Sequence, residues 1–136
     1  MKGAALALCL ALPAAGQAEI SPCAADDLMR EAVMVFQIDT LTVGPPEADG
    51  YCRLDGTIRR AFAGPHAVGT RIRTRFPCDN SEGRIGGEVF TDPAGLARRG
   101  AAELHIAPEG GPAAYGGGLI PLDALTEAPV WRPFCG

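Results

Sequence analysis

YCRLDGTIRRAFAGPHAVGTRIRTRFPC, residues 51–78, is the stretch on which the fold turns. Two runs in which apolar and polar side chains alternate flank Ala63-Gly64-Pro65-His66-Ala67. Period-two alternation on both sides of a Gly-Pro connection predicts an antiparallel hairpin. Setting Phe62 opposite Val68 places Ile58 opposite Ile72, Gly56 opposite Thr74, Leu54 opposite Phe76 and Cys52 opposite Cys78. Every apolar pair then falls on one face, which is what a half-buried hairpin requires. The register makes Cys52 and Cys78 disulfide partners and leaves Cys23 for Cys135. On the opposite parity stand Arg53, Arg59, Arg71, Arg73 and Arg75, relieved only by Asp55, which this register places opposite Arg75, while Arg59 faces Arg71.

The cysteine pairing presupposes an oxidising compartment, and the N-terminus supplies the reason to expect one. Lys2 precedes an apolar run from Ala4 to Leu12, Pro13 breaks it, and Gly16-Gln17-Ala18 has the small-x-small form of a secretory cleavage site. Residues 1–18 are read as a signal peptide, too short in apolar length to span a bilayer. Residues 19–136 are read as one domain, periplasmic or secreted, with no transmembrane segment. Cys9 is expected to leave with the signal, so the mature chain keeps an even number of cysteines. No two of these have C-x-x-C spacing and neither His66 nor His105 lies near one in sequence, so no metal site is expected.

Around the hairpin, Ser21-Pro22 predicts a helix start, with Pro at the first helical position and a helix reaching about Ala32. Residues 33–43 are β-branched and aromatic and predict a first strand, with Val33, Val35, Leu41 and Val43 on one parity, ended by Gly44-Pro45-Pro46. Ile85 to Phe90 predicts a short strand, and Thr91-Asp92-Pro93 a helix of about two turns that Gly100 stops. Leu104–Ala107 and Tyr115–Leu122 predict two more strands. The tail with Trp131, Pro133, Phe134 and Cys135 has no periodicity and is expected to close one end of the core.

Short strands with a single helix between them predict a mainly β fold, a small five-stranded OB-like barrel stapled by disulfides. The run Cys52-x-x-x-Gly56, Ala61-Phe62-x-Gly64, Gly69 and a strand ending at Cys78 resembles netrin-like modules and tissue inhibitors of metalloproteinases over about residues 28–80. It is also similar to small exported bacterial proteins with a Gly-Pro hairpin between two cysteines. That inhibitor family makes its contact through a Cys-x-Cys at the mature N-terminus. This mature chain begins Glu19-Ile20-Ser21-Pro22-Cys23, so the resemblance implies a fold and carries no inhibitory function.

Lys2 is the only lysine, and eleven arginines against sixteen acids leave the mature chain at −5. That balance disfavours general nucleic-acid binding. Without lysine there is no Schiff-base chemistry and no P-loop, whatever Gly83-x-x-Gly86-Gly87 and Gly116-Gly117-Gly118 suggest. Ser21 is a cap and Ser81 lies in Asp79-Asn80-Ser81-Glu82-Gly83, a turn composition, so neither marks a nucleophile. Asp26-Asp27 suits a helix first turn. His66 is expected at the hairpin tip and His105 on the polar side of a strand, both as surface residues. No catalytic residue, cofactor or metal is therefore assigned. The expected function is a monomeric, non-enzymatic binding domain whose ligand-binding arginines, Arg53, Arg59, Arg71, Arg73 and Arg75, meet a protein or an anionic glycan or lipid. The alternative is a small envelope hydrolase, which a histidine held by a carboxylate in a pocket would favour.

Overall fold

A computed structural model describes residues 20–80 and 87–136. The signal-peptide reading of residues 1–18, Ser81 and the start of the strand expected from Ile85 lie outside the described residues. Ser21 caps helix α1 (Pro22–Arg30) by accepting the Ala24 amide at 3.2 Å, with Pro22 where its missing N–H is no loss. Five antiparallel strands follow in one sheet: β1 (Met34–Val43), β2 (Tyr51–Ala63), β3 (Arg71–Pro77), β4 (Ala101–Ile106) and β5 (Leu119–Leu122). Helix α2 (Pro93–Arg99) links β3 to β4, capped by Asp92 and ended by Gly100 in the left-handed region at φ 83°.

The order β3-β2-β1-β4-β5 leaves β3 and β5 as edges, so the expected barrel is not closed by strand pairing. Irregular chain meets the end of β3 instead: Thr91 donates its amide to Pro77 O of β3, and Val89 donates to Tyr115 O in the segment that precedes β5. Residues 87–90, where the end of a strand was expected, are this connecting segment and form no strand. Likewise Ala114–Gly116 form a short 3-10 helix and 117–118 a turn, rather than the start of β5.

The hairpin is present and its register is shifted by two from the expected one. Cys52 faces Phe76, Leu54 faces Thr74 and Gly56 faces Ile72. Gly64 and Gly69, both at positive φ, bracket a longer connection, residues 64–70, and leave Val68 61 % exposed instead of paired with Phe62. A two-residue slip preserves parity, so the apolar and arginine faces survive it. The cross-strand partners change: Arg53 faces Arg75, Asp55 faces Arg73 and Thr57 faces Arg71, so Arg59 and Arg71 are not opposite. Both disulfides form as expected, Cys52–Cys78 and Cys23–Cys135.

Strand β1 corrects a second expectation. Phe36 and Ile38, not Val33 and Val35, face the core, against Leu104 and Ala102. Thr40 takes φ 53°, and the register against β2 slips between Asp39 and Thr42. This bulge reverses the parity, bringing Leu41 and Val43 onto the same core. Cys52, Leu54, Ile58, Phe76, Leu96, Ile106 and Leu119 complete it.

At Gly56 the side chains of β1 leave no room beside β2. A Cβ there would lie 2.7 Å from Ile38 Cδ1 and 3.1 Å from Leu41 Cδ2. Gly56→Ala is therefore expected to lose about 2 kcal/mol through overpacking, read as a lower urea midpoint at an unchanged m-value. An unaltered midpoint would mean that the two strands separate freely at this point.

Candidate functional site

The outer face of the sheet, opposite the core, is divided. Over β1 and β4 it is covered by the chain after β5, with α1 packed beside that tail against Ala107, Ala113, Ala114 and Trp131. Over β2 and β3 it is bare and carries the arginines.

The covered half is organised by a carboxylate. Glu103, fully buried, has its Oε1 accepting from Gln37 Nε2 (2.9 Å) and the Val130 amide (2.8 Å), and its Oε2 from the Trp131 amide (3.0 Å). His105 Nε2 lies 2.9 Å from the same Oε2. Burial alone would push the Glu103 carboxyl up, but the hydrogen bonds from His105, Gln37, Val130 and Trp131 outweigh it and hold it at about 2. An ionised carboxylate only accepts, so Nε2 of His105 carries the hydrogen of this bond. Gln37 extends the network: its Oε1 accepts the Thr126 amide at 2.8 Å. Further on, the Cys135 amide donates to Asp26 Oδ2 at 2.6 Å, which together with its Arg30 neighbour holds the Asp26 carboxyl below the ordinary carboxylate value. An irregular tail thus has its backbone donors satisfied by side chains of β4, β1 and α1 instead of by a ladder.

His105 is therefore buried rather than on the surface, and its ring meets Trp131 edge-on at 5.7 Å. It lines an open cavity of about 420 Å³ with Val35, Phe62, Trp131, Arg30 and Arg132 among the other walls. No serine, threonine or cysteine lines that cavity. His66 is exposed, as expected of a hairpin tip.

On the bare half, Arg53, Arg59, Arg71, Arg73 and Arg75 are all exposed. Of the four acids that meet them, only Asp55 belongs to the hairpin; Glu47, Asp49 and Asp39 come from elements its register did not include. Glu47 lies between the facing pair, 3.5 Å from Arg53 Nε and 3.3 Å from Arg75 Nε, and Asp49 also meets Arg75. Arg59 reaches Asp39 of β1 at 2.7 Å, which lowers that carboxyl, and Arg73 reaches Asp55 at 2.9 Å. Arg71 bonds neutral oxygens, Thr57 Oγ1 at 3.2 Å and Thr40 O at 3.4 Å. Four of the five guanidinium groups meet four carboxylates, so the patch is nearly neutral overall while all five side chains stay exposed. Among the described residues no three His, Cys, Asp or Glu side chains gather as metal ligands, and no helix is long and apolar enough to cross a membrane.

No protein-family model, curated protein or solved structure matches this chain.

The arginines' shared exposed face was legible from strand parity, and the Glu103–His105 pair was not. Glu103-x-His105 puts both side chains on one face of a strand, and Gln37 is polar at the matching position of β1. Polar residues alternating inside an apolar strand were the available signal. What they bind, the amides of Val130 and Trp131, has no sequence signature.

Proposed function

We propose that this chain is an exported, non-enzymatic binding domain whose bare β2–β3 face receives an oxyanion-bearing partner. The observation that carries the reading is the division of the outer face: the tail covers β1 and β4 at Gln37 and Glu103, and the five arginines of β2 and β3 stay exposed. Arg53 and Arg75 face each other directly across the ladder, an arrangement that is unfavourable unless anions lie between them. Exposed ion pairs contribute little, about 0–1 kcal/mol each, so an incoming carboxylate or phosphate exchanges with Glu47 or Asp55 at small loss. Guanidinium groups suit planar, two-pronged oxyanions. Two disulfides fit an oxidising compartment, where acidic glycans and lipid phosphates are available.

The hydrolase alternative has the Glu103–His105 pair in its favour. That carboxylate, however, is saturated by four hydrogen bonds and holds the tail in place, and the adjoining cavity brings no hydroxyl or thiol to the histidine. The binding reading stands first for that reason.

Replacing Arg59, Arg71 and Arg73 together by Gln is expected to weaken binding to polygalacturonate or to phosphatidylglycerol vesicles about tenfold, with the thermal midpoint moved by only a few degrees. Binding by the unaltered protein should fall steeply with salt. Unfolding of the triple variant would make the arginines structural, and salt-independent binding would remove the oxyanion reading.

A further inference from the structure

We propose that the cavity beside His105 is a second site, for a small amphiphile with one apolar chain and one anionic oxygen head. The cavity opens on the outer face where the end of α1, the start of β1, the end of β2 and the tail meet, away from the β3 arginines. Its volume, about 420 Å³, is within the roughly 300–1,000 Å³ typical of small-ligand sites.

Its chemistry has two parts. Val35, Phe62 and Trp131 supply an apolar wall, and Phe62 reaches it because β2 bulges at this end: Phe36 pairs with Ala61, while the next residue, Val35, pairs with Ala63. Arg30 and Arg132 supply the charge, and no acidic side chain lines the cavity. Arg30 is shared with Asp27 at 3.3 Å and with Cys135 O at 3.1 Å. Among the described residues Arg132 spends only Nη1, on the carbonyl oxygens of Pro129 (2.7 Å) and Trp131 (3.0 Å). Those two bonds orient the guanidinium and leave its other donors for a ligand, since the group carries five. His105, fixed by Glu103, stiffens the floor behind Trp131.

The apolar wall and the cationic rim select together. A bare inorganic anion gains nothing from Phe62 and Val35, and a neutral hydrocarbon gains nothing from Arg132. Only an apolar chain ending in a carboxylate or phosphate satisfies both. The mature chain's net charge of −5 further disfavours loose capture of simple anions.

Trp131, the only tryptophan of the chain, is a built-in reporter. The test titrates the full chain with decanoate below its micelle concentration and follows Trp131 fluorescence, with decyl phosphate, decanol and acetate in parallel. Decanoate or decyl phosphate should give a saturable shift and raise the thermal midpoint. Decanol should bind about tenfold more weakly and acetate not at all. The tighter of the two anions assigns the head as carboxylate or phosphate. Arg132→Gln should lose about tenfold for the anions and nothing for decanol, whereas Phe62→Gln should weaken both anions and decanol. The Arg59, Arg71 and Arg73 triple variant should bind decanoate as the unaltered protein does, which separates this site from the arginine face. Equal binding of decanol and decanoate, an Arg132→Gln variant with unchanged decanoate affinity, or no saturable shift would each overturn the proposal.

Discussion

Glu103→Leu is expected to remove about 4 kcal/mol of folding stability and to lower the thermal midpoint by roughly 15–20 °C. Leucine fills a similar volume and accepts nothing. The Gln37 amide, the His105 ring N–H and the amides of Val130 and Trp131 would all lose their acceptor in a buried place. Orphaned donors of this kind cost about 1–3 kcal/mol each, reduced where the tail shifts to admit water. The effect has a pH signature. Folding holds the Glu103 carboxyl at about 2 against 4.5 when free, so its contribution is complete above pH 4.5 and disappears as pH falls towards 2. The difference of about 2.5 units corresponds to roughly 3 kcal/mol. Asp26 and Asp39, also lowered, add to acid sensitivity in the same direction. The diagnostic quantity is therefore the stability difference between unaltered protein and Glu103→Leu, measured by urea denaturation at successive pH values. It should narrow as pH falls below 4.5. A difference independent of pH would mean that the carboxylate is not the group holding the tail.

How much of this was legible in the sequence depends on which property is asked of each residue. Parity in the hairpin was legible, because apolar residues at 52, 54, 58, 72 and 76 fix which face is buried. Register was not, because it depends on where the connection tightens, and Gly69 turns the chain later than the Gly64-Pro65 pair suggests. The cysteine pairing survived the two-residue slip for a geometric reason. Cys52 and Cys78 remain on one parity, with Cα atoms 5.8 Å apart across the ladder, within disulfide reach. Parity failed in β1, where Thr40 in the left-handed region reverses the face mid-strand and a threonine gives no warning of it. The arginine patch was legible as a face and not as a set of partners. Glu47 and Asp49 belong to the preceding loop and Asp39 to the neighbouring strand, so only the tertiary fold brings them there. Glu103 and His105 were illegible as a site for a related cause: their partners are backbone amides of an aperiodic tail, and a backbone amide is the same in every sequence.

That tail is also the subject of the second large effect. Cys23→Ala combined with Cys135→Ala is expected to cost about 5 kcal/mol, because the bond closes a loop 112 residues apart in sequence and its loss returns nearly the whole domain's chain entropy to the unfolded state. The folded state is changed too. Cys135 is joined to α1 by the Asp26 hydrogen bond at 2.6 Å and the Arg30 contact at 3.1 Å, both of which rely on the disulfide to hold the terminus beside the helix. Glu103 grips the same segment four residues earlier, at Trp131. The two anchors therefore act on one element, and their losses should not add. With the disulfide removed, the tail opens more readily, and Glu103→Leu should then cost at least 1 kcal/mol less than it does in the bridged protein. The measurement is a double-mutant cycle by urea denaturation under non-reducing conditions, with Trp131 fluorescence reporting whether the tail separates before the sheet unfolds. Strict additivity would show that the disulfide acts on the unfolded chain alone and that Glu103 holds the tail without it.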